Sequence, residues 1–137
     1  MCSRRRPRVL YVDDNRDIAD SAADFLRHFG LDVAVCYDGA SARAVGRDFA
    51  PDVCMFDLSM AGMDGEELLA TLQNDAPPSR RVLYVAVTAT GNDAARARTT
   101  EAGFHLHFVK PVSLQALLHV VETWGEVSHM NPSPSPH

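Results

Sequence analysis

Short apolar runs alternate with helical patterns along the chain. Such runs occur at Val9–Val12, Asp32–Cys36, Val53–Phe56, Val82–Val87 and Leu106–Val109. Runs of this length, rich in valine, leucine and aromatic residues and bounded by polar residues, are typical of strands that a parallel sheet buries on both faces. The pattern therefore predicts five buried strands.

Helical periodicity fills the gaps between these runs. Asp38 and Ser113 stand where later helices are expected to begin, and Gly30 stands where a glycine commonly ends the first helix. Strand and helix repeated in this way predict an α/β fold, a doubly wound parallel sheet with helices on both faces. The first helix carries an apolar stripe that we expect to face the core, made of Ile18, Ala22, Phe25, Leu26 and Phe29.

Composition supports a single domain and narrows the partners. The 137 residues are 46% hydrophobic and 23% charged, and no apolar run approaches the roughly 18 residues that span a membrane. A net charge of −5, with no basic patch besides Arg4–Arg6, argues against direct nucleic-acid binding. The three cysteines lack zinc or redox spacing, which favours the cytoplasm. We expect a basic tail over 1–7, one domain over 8–125, and a Pro-rich disordered tail or linker stub over 126–137.

Polar side chains follow four of the five predicted strands. Taken singly, such residues are usually turn residues, helix caps or surface residues. Because the carboxyl ends of parallel strands meet at one edge, where ligands of such sheets bind, we expect these side chains to converge on a site. They are Asp13 and Asp14 after the first run, Asp57 after the third, Thr88 after the fourth and Lys110 after the fifth.

Three carboxylates at one edge predict a bound cation. Two like charges about 4 Å apart repel by roughly 1 kcal/mol in water and by roughly 4 kcal/mol at an effective dielectric near 20. Carboxylate oxygens suit Mg²⁺, whose remaining positions phosphate oxygens can fill, and the sequence offers no clustered thiolate or imidazole for zinc. Lys110 then supplies a point charge, and Thr88 a hydroxyl donor, for the same phosphate.

Four motifs occur in order, each at the end of its own apolar run. Together they resemble the receiver domains of bacterial two-component signalling over residues 8–124. The resemblance implies the flavodoxin-like receiver fold, a five-stranded parallel sheet of order 2-1-3-4-5 with five helices. The motifs are Val12-Asp-Asp-Asn15, Met55-Phe-Asp-Leu-Ser-Met60 with Met63-Asp-Gly65, Ala86-Val-Thr-Ala89, and Phe108-Val-Lys-Pro111.

The resemblance also implies a role for each carboxylate. Asp57 is expected to accept a phosphoryl group from a histidine kinase or histidine phosphotransfer protein in a Mg²⁺-dependent reaction. Asp14 is expected to bind the metal directly and Asp13 partly through water. Asp57 and the backbone carbonyl of Ser59 complete the implied metal site.

The remaining implied roles concern the phosphoryl group and the output surface. Thr88 and Lys110 are expected to bind phosphoryl oxygens beside Asp57. The domain would then be a signalling phosphoacceptor that assists only its own phosphorylation and dephosphorylation. The surface of the fourth helix, fifth strand and fifth helix would pass the signal to an unidentified protein partner. His107 stands where the family often has a tyrosine or phenylalanine switch residue, and the sequence leaves open whether it switches or is exposed and inert.

Other functions fit the same topology less well. A phosphohydrolase with an aspartyl nucleophile typically needs a second aspartate two positions later, where this chain has Ser59. A flavin- or nucleotide-binding module would meet repulsion from Asp13 and Asp14. A degenerate receiver that only binds partners would not need the full set of site residues. The sequence also leaves open whether the receiver is free-standing or part of a longer chain.

Overall fold

The computed structural model describes residues 6–58, 65–77, 81–89 and 91–130, and for 127–130 the helical backbone alone. Within these residues, strands and helices alternate along the chain. The strands are β1 (Arg8–Val12), β2 (Asp32–Cys36), β3 (Val53–Asp57), β4 (Leu83–Thr88) and β5 (Leu106–Val109). The helices are α1 (Arg16–His28), α2 (Gly39–Phe49), α3 (Gly65–Asp75), α4 (Asp93–Ala102) and α5 (Leu114–Met130).

All the strands belong to one parallel sheet. Their order is β2-β1-β3-β4-β5, which confirms the predicted topology. Val9 pairs with Val33 of β2 on one side and with Val53 of β3 on the other. Every residue of β3 and β4 is buried, as expected for strands inside a sheet that is covered on both faces.

Side-chain alternation divides the core between the two faces of the sheet. On one face, Val9, Tyr11 and Met55 pack against buried residues of α1 and α5. On the other face, Leu10 and Phe56 pack against α2 and α3. The helices therefore cover both faces, as the doubly wound fold requires.

The apolar stripe predicted for α1 is partly wrong. Ile18 is 40% exposed and Phe29 43% exposed. Ile18 precedes Ala19, the first residue that α1 buries, and Phe29 is the C-cap residue beyond the last turn. Small side chains let α1 approach the strands closely, and the residues that α1 buries are Ala19, Ala22, Ala23 and Leu26.

β5 also differs from its prediction as a buried strand. It lies at the edge of the sheet, and Leu106 is 39% exposed. The apolar run gave no sign of this, because strand order across the sheet decides which strands have two neighbours.

Polar caps begin the helices at the edge where the strands end. Asn15 accepts a hydrogen bond from the Ile18 N–H at 3.1 Å, and Asp38 accepts one from the Ser41 N–H at 2.7 Å. Ser113 accepts one from the Ala116 N–H at 3.2 Å. The predicted starts at Asp38 and Ser113 are therefore confirmed.

The ends of the chain are described only in part. α5 continues to Met130, beyond the domain boundary predicted at residue 125. Residues 1–5 and 131–137, which belong to the predicted tails, lie outside the described residues. None of the described helices combines the length and apolar character needed to cross a membrane.

Candidate functional site

The strands and their register bring the predicted site residues to one edge of the sheet. Asp57 ends β3 and pairs with Val87, and Thr88 is the next residue of β4. The Lys110 N–H donates to the Thr88 carbonyl at 2.8 Å, which carries the β4–β5 ladder past the last paired residues. The backbone thus fixes Asp57, Thr88 and Lys110 on neighbouring strand ends.

Asp13 directly follows β1 at this edge of the sheet and is fully buried. Its backbone N–H donates to the Cys36 carbonyl at 3.1 Å, which holds the end of β1 beside β2. Its Oδ1 accepts a hydrogen bond from the Asn15 N–H at 2.9 Å. Its Oδ2 receives no hydrogen bond from any described residue, although buried carboxylate oxygens normally have such a partner.

Lys110 is the cation of the site. Its Nζ donates to Asp57 Oδ2 at 2.8 Å and lies 3.5 Å from Asp13 Oδ2. Asp57 is 3% exposed, so this ion pair is largely shielded from water. Burial favours the neutral amine, but the hydrogen bond and charge of Asp57, helped by Asp13, outweigh it and raise the pKa of Lys110.

Negative charge exceeds positive charge among these buried groups. Burial and the neighbouring Asp57 raise the pKa of Asp13, against the opposing effects of the Asn15 N–H and Lys110. Tyr11 lies on β1, two residues before Asp13. Burial together with the charges of Asp13 and Asp57 raises the pKa of Tyr11 to about 12. The site therefore resists further negative charge and favours a cation.

The carboxylates fit a hard metal ion. One oxygen from each of Asp13, Asp14 and Asp57 lies within 4.8 Å of the others, with Asp13 and Asp57 buried and Asp14 exposed. The carboxylate oxygen of Asp13 that lacks a hydrogen bond gives such an ion a ready ligand. Ser59, whose backbone carbonyl was the fourth expected ligand, lies outside the described residues.

Thr88 and His107 form a direct contact. Thr88 is 8% exposed, and its Oγ1 lies 2.8 Å from Nε2 of His107. His107 is half-buried, and its ring is turned toward the site edge rather than to solvent. The sequence left this orientation open.

Comparison with known proteins decides the family. The sequence profile of the response regulator receiver domain matches residues 9–122. The chain belongs to this family.

Curated relatives of the receiver domain are response regulators of about twice its length. Transcriptional regulatory protein PrrA of Mycobacterium tuberculosis is 34% identical over 115 residues, which cover 82% of this chain and 47% of PrrA. Response regulator receiver protein Anae109_2439 of Anaeromyxobacter sp. is 35% identical over 111 residues, covering 81% of this chain and 45% of the relative. The chain thus spans about half the length of the curated relatives it matches.

Solved receiver domains share the fold. The receiver domain of the Francisella response regulator 1452 has a TM-score of 0.79 at 24% identity and covers 90% of this chain and 99% of that one. A CheY-like receiver domain from Methanospirillum hungatei has a TM-score of 0.80 at 23% identity, covering 92% and 98%. These structures support the five-stranded topology of this receiver domain.

One polar group at the rim of the receiver site was missed from the sequence. The Tyr37 hydroxyl donates to Asp20 at 2.6 Å, and the Arg16 guanidinium lies 4.1 Å from the centre of the Tyr37 ring. Tyr37 follows β2 directly, and its position after an apolar run is the sequence signal that could have identified it.

Proposed function

We propose that this receiver domain accepts a phosphoryl group on Asp57 from a histidine kinase or histidine phosphotransfer protein, in a Mg²⁺-dependent reaction in the cytoplasm. The observation that carries the proposal is the buried Asp57 carboxylate, held 2.8 Å from Lys110 beside two further carboxylates. Family membership supports phosphorylation as the general activity. The geometry supports Asp57 as the acceptor.

Asp13, Asp14 and Asp57 are the side chains that would hold Mg²⁺, with the Ser59 carbonyl as a further ligand. When bound, Mg²⁺ offsets the negative charge of the carboxylates and of the phosphoryl oxygens. The buried and under-bonded Asp13 Oδ2 supports this assignment, because a cation relieves both its desolvation and its repulsion from Asp57.

Phosphoryl transfer then uses the side chains at the strand ends. A carboxylate oxygen of Asp57 forms a bond to phosphorus as the bond from phosphorus to the donor histidine nitrogen breaks, and the donor imidazole leaves. The Lys110 ammonium stabilises negative charge on the phosphoryl oxygens, and the Thr88 hydroxyl donates a hydrogen bond to one of them. Positioning and charge neutralisation supply most of the catalysis in such a transfer.

The output is proposed to leave through α4, β5 and α5. The Thr88 side chain is hydrogen-bonded to His107 of β5, and the Thr88 carbonyl accepts a hydrogen bond from the N–H of Lys110, which directly follows β5. A change in the position of Thr88 therefore acts directly on β5. Phosphate shifts the equilibrium between two arrangements only through its better contacts with one of them. The proposed partner on this surface is an unidentified protein, with no direct nucleic-acid or membrane contact.

Mass spectrometry after incubation with acetyl phosphate and Mg²⁺ tests the proposal. The parent should gain one phosphoryl group, and Asp57→Asn should gain none. Asp52→Asn is the matched control, since Asp52 lies at the opposite end of β3, and it should be labelled like the parent.

Two results would contradict the proposal. Labelling of Asp57→Asn at the parental level would mean that another residue accepts the phosphoryl group. Multiple turnover of a small phosphate ester by the parent would instead favour a phosphohydrolase.

A further inference from the structure

The contact between Thr88 and His107 follows from the register of β4 and β5. His107 pairs with Ala86, and Ala86 and Thr88 point to the same face because strand side chains alternate. The imidazole reaches diagonally from His107, past its partner Ala86, to Thr88. The result is the 2.8 Å contact between Thr88 Oγ1 and His107 Nε2.

This hydrogen bond can run in either of two directions. A threonine hydroxyl has one proton to donate, and Nε2 of a neutral histidine is either a donor or an acceptor. If Nε2 carries no proton, the Thr88 proton points at His107. If Nε2 carries a proton, His107 donates to Thr88 Oγ1, and the Thr88 proton is directed to another acceptor.

We propose that His107 sets the direction of the Thr88 proton and thereby controls whether this hydroxyl can bond to the phosphoryl group. The inference rests on the proposed function of Asp57 as the acceptor. It makes His107 a positioning residue, since it acts on the phosphoryl group through Thr88.

The direction should differ between the two states of the domain. Before phosphorylation, the buried Thr88 hydroxyl donates to Nε2, an acceptor within reach. A phosphoryl group on Asp57 brings strongly accepting oxygens, and the Thr88 proton turns to one of them. Nε2 then carries a proton and donates to Thr88 Oγ1.

The proton count balances without any further reactant. Nε2 takes one proton from water and Nδ1 releases one to water, so the ring stays neutral and only its tautomer changes. A phenylalanine at this position has no group that can bond to Thr88. The histidine therefore links the chemistry at Asp57 to the state of a ring on β5.

Ring ¹⁵N NMR of the full chain with Mg²⁺, with and without beryllofluoride, tests the inference. The shifts of the two ring nitrogens show which one carries the proton, and His107→Gln identifies the signal among the six histidines. We expect beryllofluoride to move the His107 proton from Nδ1 to Nε2. Thr88→Val, which keeps the side-chain shape without the hydroxyl, should abolish the response, and Thr88→Ser should retain it.

His105 provides an internal reference in the same spectra. Its Nδ1 accepts a hydrogen bond from the Tyr84 N–H at 3.0 Å, so its proton should stay on Nε2 in both states. If the His107 proton stays on the same nitrogen while amide signals around Asp57 shift, the inference is overturned and the proposed function stands. If beryllofluoride shifts no amide signal around Asp57, the proposed function fails, and the inference fails with it.

A rate measurement provides a second, independent test. His107→Phe removes the acceptor that competes for the Thr88 proton, so acetyl phosphate should label this variant several-fold faster than the parent. A slower rate in a variant with parental thermal stability would overturn the inference. Unchanged labelling of His105→Gln would show that the effect is specific to the ring that contacts Thr88.

Discussion

The two ends of the sheet use their polar groups in opposite ways. At the amino end, the Arg8 N–H donates to Asp52 Oδ2 at 2.9 Å, and the Asp52 N–H donates to the Arg8 carbonyl at 2.8 Å. The His105 N–H donates to the Tyr84 carbonyl at 2.8 Å, and the Tyr84 N–H donates to His105 Nδ1 at 3.0 Å. These paired bonds close the ends of the strands.

The carboxyl end gathers like charges instead. Asp13 and Asp57 are buried beside each other with Lys110 as their shared cation, and one Asp13 oxygen lacks a hydrogen bond. Such an arrangement lowers stability unless a ligand completes it. The comparison indicates that the polar groups at the amino end stabilise the fold. At the carboxyl end, the buried carboxylates repel each other, and a bound ligand can relieve this repulsion.

The largest expected effect on unfolding free energy comes from removing the Lys110 ammonium group at the carboxyl end of the sheet. Lys110→Met leaves Asp13 and Asp57 buried without an ammonium partner, so the metal-free protein should lose about 3 kcal/mol of unfolding free energy. Urea unfolding measures the loss. Because Mg²⁺ offsets the same charges, adding it should restore part of the loss, and an equal loss with and without Mg²⁺ would contradict this account.

Asp52 at the amino end gives the next largest effect. Asp52→Ala removes the acceptor of the Arg8 N–H bond and should cost about 2 kcal/mol, because that bond has a charged acceptor. Labelling by acetyl phosphate should be unchanged at temperatures where the variant is folded. Asp52→Asn keeps an acceptor oxygen and should lose less. Equal losses in the two variants would show that this hydrogen bond does not account for the stability.

A smaller effect of opposite sign is expected at Asp13. Asp13→Asn keeps the Oδ1 acceptor for the Asn15 N–H and removes one buried charge, so the metal-free protein should gain on the order of 1 kcal/mol. Isothermal titration should show that Mg²⁺ binding is lost. A variant that is less stable than the parent, or that binds Mg²⁺ normally, would contradict the assignment.

The unfolding free energy gained in Asp13→Asn should depend on pH, and the sign of this dependence follows from the pKa of Asp13. The folded-state pKa of Asp13 is raised above its ordinary value of 3.8, so between those two values the native state holds more protons than the unfolded state. Unfolding free energy of the metal-free parent should therefore fall as pH rises above about 3.8 toward the folded-state pKa. In Asp13→Asn this part of the fall should disappear.

The smallest effect is expected at His105. Burial lowers its pKa below the ordinary value of 6.5, and protonation of Nδ1 also breaks the bond from the Tyr84 N–H. The unfolded state then binds more protons, so stability should be full above pH 6.5 and decrease as pH falls through 6.5 toward the folded-state pKa. His105→Gln should reduce this decrease. A pH profile of His105→Gln identical to that of the parent would exclude His105 as the cause.

Much of the fold was predictable because it depends on local patterns. Apolar runs and helical spacing predicted the alternation of strands and helices, and Asp38 and Ser113 marked helix starts correctly. The strand-end positions of Asp13, Asp57, Thr88 and Lys110 followed from the same pattern. Their roles in phosphorylation remain predictions for the experiments above.

Other features depend on which elements become neighbours. The exposed Ile18 and Phe29 stand at the two ends of α1, and the exposed Leu106 lies on β5 at the sheet edge. The periodicity of a single segment does not show which of its residues will meet a neighbouring element. Large apolar residues were therefore assigned to the core where alanines occupy it.

The sequence by itself determined the order of the elements and the identity of the residues that end each strand, because both follow from the spacing of apolar and polar positions. Only the tertiary structure decided that Asp13 is buried and Asp14 exposed, and that the Lys110 ammonium lies between Asp13 and Asp57. It also turned His107 onto Thr88. These outcomes depend on contacts between strands that are distant in sequence, and burial and charge at the site arise from those contacts.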